Sequence, residues 1–324
     1  MSGSLPKLVL GTMTFGESVF YEDALAMVRA YLAAGGTELD TAYVYNEGEC
    51  ERILGRILKE TGRDAVILDT KVNPRITGKL DAEAAYLQLN ESLARLDTDC
   101  VDVFYLHFPD PNTPVKDVLS ACGKLHAEGK FKELGLSNFP AWLAADAWHI
   151  CDRNGWVRPT VYEGIYNPLT RLAETELNMA LDRFGMRFYA YNPLAGGLLS
   201  GRYGRFEDAP TDGRFTHRPN YQKRYWKKSF FDAVDLLKAA CEKDGLTLVD
   251  AVYRWLLHHS MLNGDRGDAV ILGASKQDHL LQNMRAAADG PLPADVLQCF
   301  EKAWQLCRAD SPAYFTFYSG AQKK

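Results

Sequence analysis

The sequence has 324 residues, of which 47% are hydrophobic and 24% charged, a balance typical of globular proteins in water. Its formal charge of −5 gives no reason to expect nucleic acid or an anionic membrane as a partner, and its seven scattered cysteines, without a Cys-x-x-Cys pair, argue against a disulfide framework or a zinc site. There is no apolar run of about 18 residues and no apolar stretch of signal-peptide length at the N-terminus, so we expect a cytoplasmic protein with reduced thiols.

Short apolar runs alternate with helical patterns along the chain. The candidate strands are 8–11, 38–40, 66–71, 101–106, 133–137, 160–165, 187–191 and 269–272. The candidate helices are 22–34, 47–59, 81–96, 115–128, 140–153, 174–184, 229–244, 247–259 and 293–307. The strands are continuously apolar, as in a buried parallel sheet. Eight such strands predict an α/β fold, a (β/α)8 TIM barrel, as a single domain over 1–324 with extra helices and long loops at its C-terminal face.

The first chemical signal lies in residues 38–55. Asp40 ends the second strand, and Tyr45 follows it by five residues. A phenol has an ordinary pKa of about 10, so it is a poor proton donor near neutrality unless a nearby cation stabilises its anion. Asp40 taken alone is explained equally well as a helix cap or a turn residue.

A cation and a histidine end the next two strands. Lys71 ends the third strand and His107 follows the fourth. The active site of such a barrel forms at the carboxyl ends of its strands, so these side chains should meet at one mouth. A lone lysine is usually a solvated charge and a lone histidine a core residue. Four acid–base groups on three consecutive strand ends nevertheless favour a catalytic set.

The aldo-keto reductases have a signature that closely resembles residues 39–48 of this chain, Leu-Asp-Thr-Ala-Tyr-Val-Tyr-Asn-Glu-Gly. Lys71, His107 and residues 135–138 fall at matching strand ends. Residues 189–201 and 213–226 are similar to the branch that contains aflatoxin-aldehyde and succinic-semialdehyde reductases.

The resemblance implies a role for each acid–base group. Tyr45 would give its proton to the substrate carbonyl oxygen as hydride arrives from a nicotinamide. Lys71, paired with Asp40, would lower the pKa of the phenol. His107 would orient the carbonyl or help to relay the proton. Such a site needs no metal, and no spacing of His, Cys or Asp suggests one.

The cofactor site is distributed along the chain, since no Gly-x-Gly-x-x-Gly follows a strand. The resemblance implies nicotinamide contacts from Ser137, Asn138, Glu163 and Tyr191. It implies pyrophosphate contacts from Asn192, Leu194 and Gly196. Small residues let backbone N–H groups approach oxygen closely, although Gly196 is also consistent with an ordinary turn.

The segment after the last strand favours NADPH over NADH. It opens a helix with Ser275 and Lys276, and a helix N-terminus with such residues suits a 2′-phosphate. Further cofactor contacts are predicted on the same segment from His279, Gln282 and Asn283, the last two to the adenine. Lys276 as a plain surface charge is nearly as good an interpretation.

The sixth strand departs from the family pattern. Members usually present a glutamine to the carboxamide, and this chain has Glu163 there. As a carboxylate, Glu163 would accept a hydrogen bond from the amide nitrogen but not donate one, and its charge would favour the oxidised, positive ring.

The substrate pocket is predicted from aromatic residues and the C-terminal segment. Candidate substrate contacts are Met13, Tyr45, His107, Arg224, Trp226, Tyr314 and Phe315. Members of this branch commonly end near Tyr-Phe-Arg, whose arginine can hold a substrate carboxylate, but Thr316 follows Phe315 here. Arg214, Arg218 and Arg224 are either substitutes for that cation or solvated charges. An aromatic-rich, cation-poor pocket would suit an apolar or aromatic aldehyde.

The predicted function is NADPH-dependent reduction of aldehydes, ketones or dicarbonyls to alcohols. Two alternatives stay open. Folds of this family also serve as cofactor-sensing subunits of potassium channels, and Glu163 favours an alcohol dehydrogenase that runs in the oxidative direction. The resemblance also makes a homodimer plausible. The net charge and the lack of a long apolar run give no reason to expect a nucleic acid or membrane partner.

Overall fold

The computed structural model describes residues 3–208, 210–211 and 213–320. Eight parallel strands close into a barrel, each paired with its neighbours in chain order, and the last pairs with the first. The strands are β1 (Lys7–Gly11), β2 (Glu38–Asp40), β3 (Ile67–Val72), β4 (Val101–Leu106), β5 (Phe131–Ser137), β6 (Pro159–Ile165), β7 (Arg187–Tyr191) and β8 (Ala269–Gly273). The predicted fold class is therefore confirmed.

Helices surround the barrel and connect its strands. They are α1 (Tyr21–Ala33), α2 (Glu49–Thr61), α3 (Pro74–Thr77), α4 (Ala82–Leu96), α5 (Val115–Ala127), α6 (Ala141–Asn154), α7 (Leu177–Phe184), α8 (Arg214–His217), α9 (Pro219–Tyr225), α10 (Lys228–Lys243), α11 (Leu248–His258), α12 (Gln277–Ala288) and α13 (Ala294–Cys307). Within the described ranges, no helix is both long and apolar enough to cross a bilayer.

Local sequence explains where α4 begins and how tightly it packs. The side chain of Asp81 accepts a hydrogen bond from the backbone N–H of Ala84 at 3.0 Å, which caps the helix start. Gly55 of α2 faces the other end of α4, where an added Cβ would lie 2.4 Å from the carbonyl oxygen of Arg95. Glycine thus permits the close packing of these two helices.

The protein has two separate buried regions, one between the strands and the helices and one inside the strands. A large apolar cluster fills the layer between the strands and the helices. A smaller apolar cluster lies inside the strands and consists of Val9, Val103, Tyr105, Val161, Tyr189, Ala269 and Ile271. Buried ionisable residues lie on β2, β3 and β6, namely Glu38, Asp40, Asp69, Lys71 and Glu163.

Several helix boundaries differ from the predicted ones. The helix predicted over 47–59 begins at Glu49, after a 3-10 turn over Tyr45–Gly48. Asn46 and Glu47 have φ values of 49° and 55°, the left-handed region, which interrupts the helical pattern. The helix predicted over 174–184 begins at Leu177, and α3, α8 and α9 were not predicted because they are too short for apolar periodicity.

Candidate active site

Tyr45 lies on the turn after β2, held by its neighbour in sequence. The side-chain amide of Asn46 donates to the carbonyl oxygens of Met13 at 2.9 Å and Phe15 at 2.7 Å, in the loop after β1. The left-handed conformation of Asn46 lets one side chain reach both carbonyls. The Tyr45 side chain is partly buried, and its ring centroid lies 6.0 Å from that of His107.

Lys71 occupies the centre of the mouth, at the end of β3. Its side chain has no exposed surface, and its Nζ forms an ion pair with Asp40 of β2. The same Nζ donates to the carbonyl oxygen of Thr41 at 2.9 Å and lies 3.1 Å from Oε2 of Glu163. It also lies 5.8 Å from the ring centroid of Tyr45. The ammonium group thus joins two carboxyl groups beneath the tyrosine.

The ion pairs keep Lys71 charged. Burial opposes its charge, but Asp40 and Glu163 outweigh burial, and the pKa of Lys71 lies well above its ordinary value. A fixed cation therefore lies near the phenol, as the sequence indicated.

The pKa of Tyr45 itself differs from the expectation. Burial raises it well above 10; Lys71 lowers it, but Asp40 and Glu163 raise it further. The prediction of a lowered pKa is thus wrong in its net direction. The physical reason is that burial of the phenol outweighs the effect of Lys71, and the acids beside Lys71 add to the rise.

His107 is a neutral imidazole with a defined tautomer. Burial, then the charges of Lys71 and Arg75, hold its pKa well below the ordinary value. Its Nδ1 lies 3.1 Å from the amide nitrogen of Asn73, whose Oδ1 accepts from the backbone N–H of Arg75 at 3.0 Å. Because that contact fixes the amide orientation, Asn73 donates to Nδ1 and the proton of His107 lies on Nε2.

Asn73 is a positioning residue that was missed by the sequence analysis. Its backbone N–H donates to the side chain of Gln88 at 2.9 Å, and its carbonyl oxygen accepts from the same amide at 3.0 Å. The signal was available, since Asn73-Pro74 is a helix-start pattern next to a strand end. That pattern reveals a cap, but not which histidine the cap residue contacts.

The predicted nicotinamide residues of β5 and β7 are hydrogen-bonded to each other. The amide nitrogen of Asn138 donates to the carbonyl oxygen of His107 at 3.0 Å and to Oγ of Ser137 at 2.9 Å. The hydroxyl of Tyr191 donates to Oδ1 of Asn138 at 2.7 Å. With φ of 62°, Asn138 adopts a conformation that few other residues tolerate. These three residues therefore form one rigid wall of the mouth.

The predicted pyrophosphate segment follows β7. The side-chain Nδ2 of Asn192 is buried without a hydrogen-bond partner among the described residues, while its Oδ1 accepts from Tyr221 at 3.3 Å. Leu194 is partly buried, and Gly196 has φ of 71°. A Cβ at Gly196 would lie 2.7 Å from the ring of Tyr221 in α9, so the close approach seen at this glycine is to an aromatic ring.

The predicted phosphate and adenine residues lie around the start of α12. Lys276 immediately precedes the helix, and no side chain caps it. The exposed members of the set are Ser275, Lys276, His279 and Gln282. Asn283 differs from them because it is only 4% exposed.

The C-terminal segment crosses the mouth. The backbone N–H of Thr316 donates to the carbonyl oxygen of Asn138 at 3.0 Å, and that of Tyr318 donates to Pro109 at 2.8 Å. Tyr314 is buried, accepts from the backbone N–H of Ala141 and donates to a carboxylate, so its hydroxyl is fully used in packing. Phe315 is only partly buried.

Trp226 and Met13 are two predicted substrate contacts, and neither is hydrogen-bonded to Tyr45 or His107 among the described residues. The indole N–H of Trp226 donates to the carbonyl oxygen of Phe206 at 3.0 Å, and its ring packs edge-on against Tyr203, Phe215 and Phe231. Met13 is partly buried in the loop after β1.

The three arginines of the long loop have different surroundings. Arg218 pairs with Glu17 at 2.7 Å, and Arg214 stacks on Tyr221. Among the described residues, Arg224 has no carboxylate partner; neither has Arg75, whose pKa is lowered by burial and then by Arg224. These two arginines act on residues of the mouth, since Arg75 lowers the pKa of His107 and Arg224 lowers that of Tyr191 against the effect of burial.

No group of three or more His, Cys, Asp or Glu side chains is arranged to hold a metal ion within the part of the chain that is described.

Sequence comparisons agree with this geometry. A family model described as the aldo/keto reductase family matches residues 7–305. The chain is 46% identical to aldo-keto reductase family 7 member A3 of Homo sapiens, over 97% of this chain and 98% of that protein. It is 45% identical to aflatoxin B1 aldehyde reductase member 2 of Rattus norvegicus, over 96% and 88%, and 31% identical to aldo-keto reductase pigE of Monascus ruber, over 95% and 96%. The chain therefore belongs to the aldo/keto reductase family, a family of oxidoreductases.

Proposed function

We propose that this protein reduces aldehydes to alcohols with NADPH, and that Tyr45 is the proton donor. The observation that supports this most directly is the buried Lys71–Asp40 ion pair with its Nζ 5.8 Å from the Tyr45 ring, beside the neutral imidazole of His107. Aldehyde reduction is also what the names of the rat and human relatives describe.

The residues around the mouth fit a dinucleotide. Asn192 offers a buried Nδ2 that has no partner in the part of the chain that the structure describes, and a buried donor of this kind indicates a missing acceptor. Ser275 and Lys276 are exposed at the N-terminus of the 12-residue helix α12, where backbone N–H groups favour an anion. A bound nicotinamide would supply hydride to the carbonyl carbon.

The side chains of the mouth would orient and protonate the carbonyl oxygen of the substrate. Nε2–H of His107 orients that oxygen by a hydrogen bond, and the Tyr45 hydroxyl gives it a proton. The raised pKa of Tyr45 is compatible with this role, because a developing alkoxide is a much stronger base than a phenolate. Lys71 then stabilises the phenolate that remains.

The two arginines that lack a carboxylate partner in the described ranges indicate which substrates the protein prefers. Arg75 and Arg224 are close enough for Arg224 to lower the pKa of Arg75, and neither has a carboxylate partner among the described residues. A second negative group on the substrate would relieve this repulsion. We therefore favour aldehydes that also carry a carboxylate over purely apolar ones.

Steady-state NADPH oxidation with succinic semialdehyde, methylglyoxal and 4-nitrobenzaldehyde tests the proposal. We expect many turnovers per enzyme and the highest kcat/KM with succinic semialdehyde. Arg224→Leu should raise the KM for that substrate and leave the KM for 4-nitrobenzaldehyde unchanged.

Tight NADPH binding without turnover of any of the three would instead favour the cofactor-sensing subunit. Faster NADP⁺ reduction by the corresponding alcohols would favour the dehydrogenase. Equal dissociation constants for NADP⁺ and NAD⁺ would remove Ser275 and Lys276 from the phosphate role.

A further inference from the structure

Glu163 lies in the centre of the mouth rather than at its edge. It follows Tyr162 on β6, its side chain is 4% exposed, and its Oε2 is 3.1 Å from Nζ of Lys71 without forming a hydrogen bond. The ammonium group already pairs with Asp40 and donates to the carbonyl oxygen of Thr41. One cation therefore faces two carboxyl groups inside a closed barrel.

This arrangement favours a proton on Glu163. The titratable groups that act on it come from β2, the turn after β2, β3, β4 and β7, namely Asp40, Tyr45, Asp69, Lys71, Tyr105 and Tyr191. Burial, and then Asp40, raise the pKa of Glu163 to about 8, and Lys71 offsets this only in part. Near neutral pH the carboxyl is therefore mostly neutral and able to donate, contrary to the sequence-based expectation of a permanent carboxylate.

The chemistry of hydride transfer brings the cofactor ring close to this group. Reacting atoms must approach to about 3–3.5 Å, so the ring has to lie beside a carbonyl that touches Tyr45. Lys71 links Tyr45 to Glu163 through the distances of 5.8 and 3.1 Å. The Tyr45 ring centroid and Oε2 of Glu163 are therefore at most about 9 Å apart, so a ring bound in the same mouth feels the charge of Glu163. At a separation of about 10 Å, one unit charge changes binding by about tenfold at the effective dielectric constant of a protein.

We propose that Glu163 senses the oxidation state of the nicotinamide: its carboxyl releases a proton when the positively charged oxidised ring binds, and keeps that proton when the neutral reduced ring binds. This inference depends on the proposed NADPH site. The O–H bond of the carboxyl breaks, the proton passes to solvent, and no electrons are exchanged. NADP⁺ binding therefore tightens as the pH rises, while NADPH binding does not respond to Glu163.

Dissociation constants measured between pH 6 and pH 9 by quenching of tryptophan fluorescence test the proposal. For the wild-type enzyme, the ratio of the NADP⁺ constant to the NADPH constant should fall about tenfold over this range. Protonation of the 2′-phosphate cancels in this ratio because both nucleotides carry it. Glu163→Gln should give a constant ratio. Glu38→Gln is the matched control, since it removes another buried acid of the same interior and should keep the fall in the ratio.

Calorimetric titration at pH 7.5, in buffers of different ionisation enthalpy, counts the protons directly. We expect release of about half a proton or more with NADP⁺ and almost none with NADPH, which holds for the wild type even if a variant does not fold. A constant ratio in the wild type, a falling ratio in Glu163→Gln, or its loss in Glu38→Gln would overturn the assignment to Glu163. If the wild type binds both nucleotides with a constant ratio, only this inference fails. If it binds neither, the proposed cofactor site fails as well.

Discussion

The two buried regions of the protein differ in the polarity of the residues that they contain. The layer between strands and helices is apolar and includes Leu68 of β3. The space inside the strands also holds Asp69 and Lys71 of the same strand, both fully buried. Side chains alternate between the two faces of a strand, so one strand supplies both environments.

The contrast shows how one short sequence serves stability and chemistry together. Burial of apolar surface stabilises the fold by roughly 25 cal/mol per Å², and the outer layer provides most of that surface. Buried charges oppose folding unless they are paired. The buried ionisable residues inside the strands include more acids than bases, since Lys71 is accompanied by Glu38, Asp40, Asp69 and Glu163. Burial raises the pKa values of Tyr45 and Glu163, and the excess acid raises them further. The following substitutions test this division.

The largest expected effect is on turnover. Tyr45→Phe removes the proposed proton donor, so kcat/KM should fall by about 10²–10⁴-fold while the dissociation constant of NADPH stays unchanged. Tyr43→Phe is a suitable control, because the Tyr43 hydroxyl donates to Glu91 at 2.6 Å. Steady-state kinetics of both variants measure the difference. Wild-type turnover by Tyr45→Phe would assign proton donation to another group.

Lys71→Met and Leu68→Ala compare a charged residue inside the strands with an apolar residue between the strands and the helices. Lys71→Met leaves Asp40 without its cation, so the free energy of unfolding should fall by about 3–5 kcal/mol, and turnover should fall as well. Leu68→Ala on the other face of β3 should cost about 2–5 kcal/mol but leave the kcat/KM of the folded enzyme unchanged. Urea unfolding and kinetics on both variants distinguish the two roles. An activity loss in Leu68→Ala equal to that of Lys71→Met would refute the division.

Glu163→Gln should change how stability depends on pH. The unfolded chain loses the Glu163 proton near its ordinary pKa of 4.5, whereas the folded chain keeps it up to about pH 8. Unfolding therefore releases a proton between these values, and wild-type stability falls as the pH rises through this window. Relative to Glu163→Gln, the wild type should lose a few degrees of Tm from pH 5 to pH 8. Parallel melting curves would contradict the raised pKa.

The smallest expected effect concerns Asn73. Asn73→Ala removes both the helix cap and the donor to His107. Loss of the cap should lower the free energy of unfolding by about 0.5–2 kcal/mol. Asn73→Asp keeps an oxygen for the N–H of Arg75 but replaces the donor with an acceptor. It should therefore retain more stability than Asn73→Ala, yet lose activity because the proton of His107 moves to Nδ1. Imidazole ¹⁵N chemical shifts report the tautomer, and an unchanged tautomer in Asn73→Asp would contradict this role.

Much of the fold was predictable because it depends on local patterns. Apolar runs and helical spacing predicted all eight strands to within two residues at each end. The turn after β2 was less predictable. Asn46 and Glu47 are left-handed there, and the side chain of Asn46 is held by hydrogen bonds to the loop after β1, which is distant in sequence. The short helices of the long loop have too few turns for a periodic signal.

By itself, the sequence determined that Asp40, Tyr45, Lys71 and His107 would meet, since they lie at or just after the ends of consecutive parallel strands. Only the tertiary structure decided what their environment does to them. Closure of the barrel brings Glu163 of β6 within 3.1 Å of Lys71 on β3, although these strands are not neighbours in the sheet. Net pKa values depend on burial and on every charge across the barrel interior, and these are properties of the closed fold rather than of any stretch of chain.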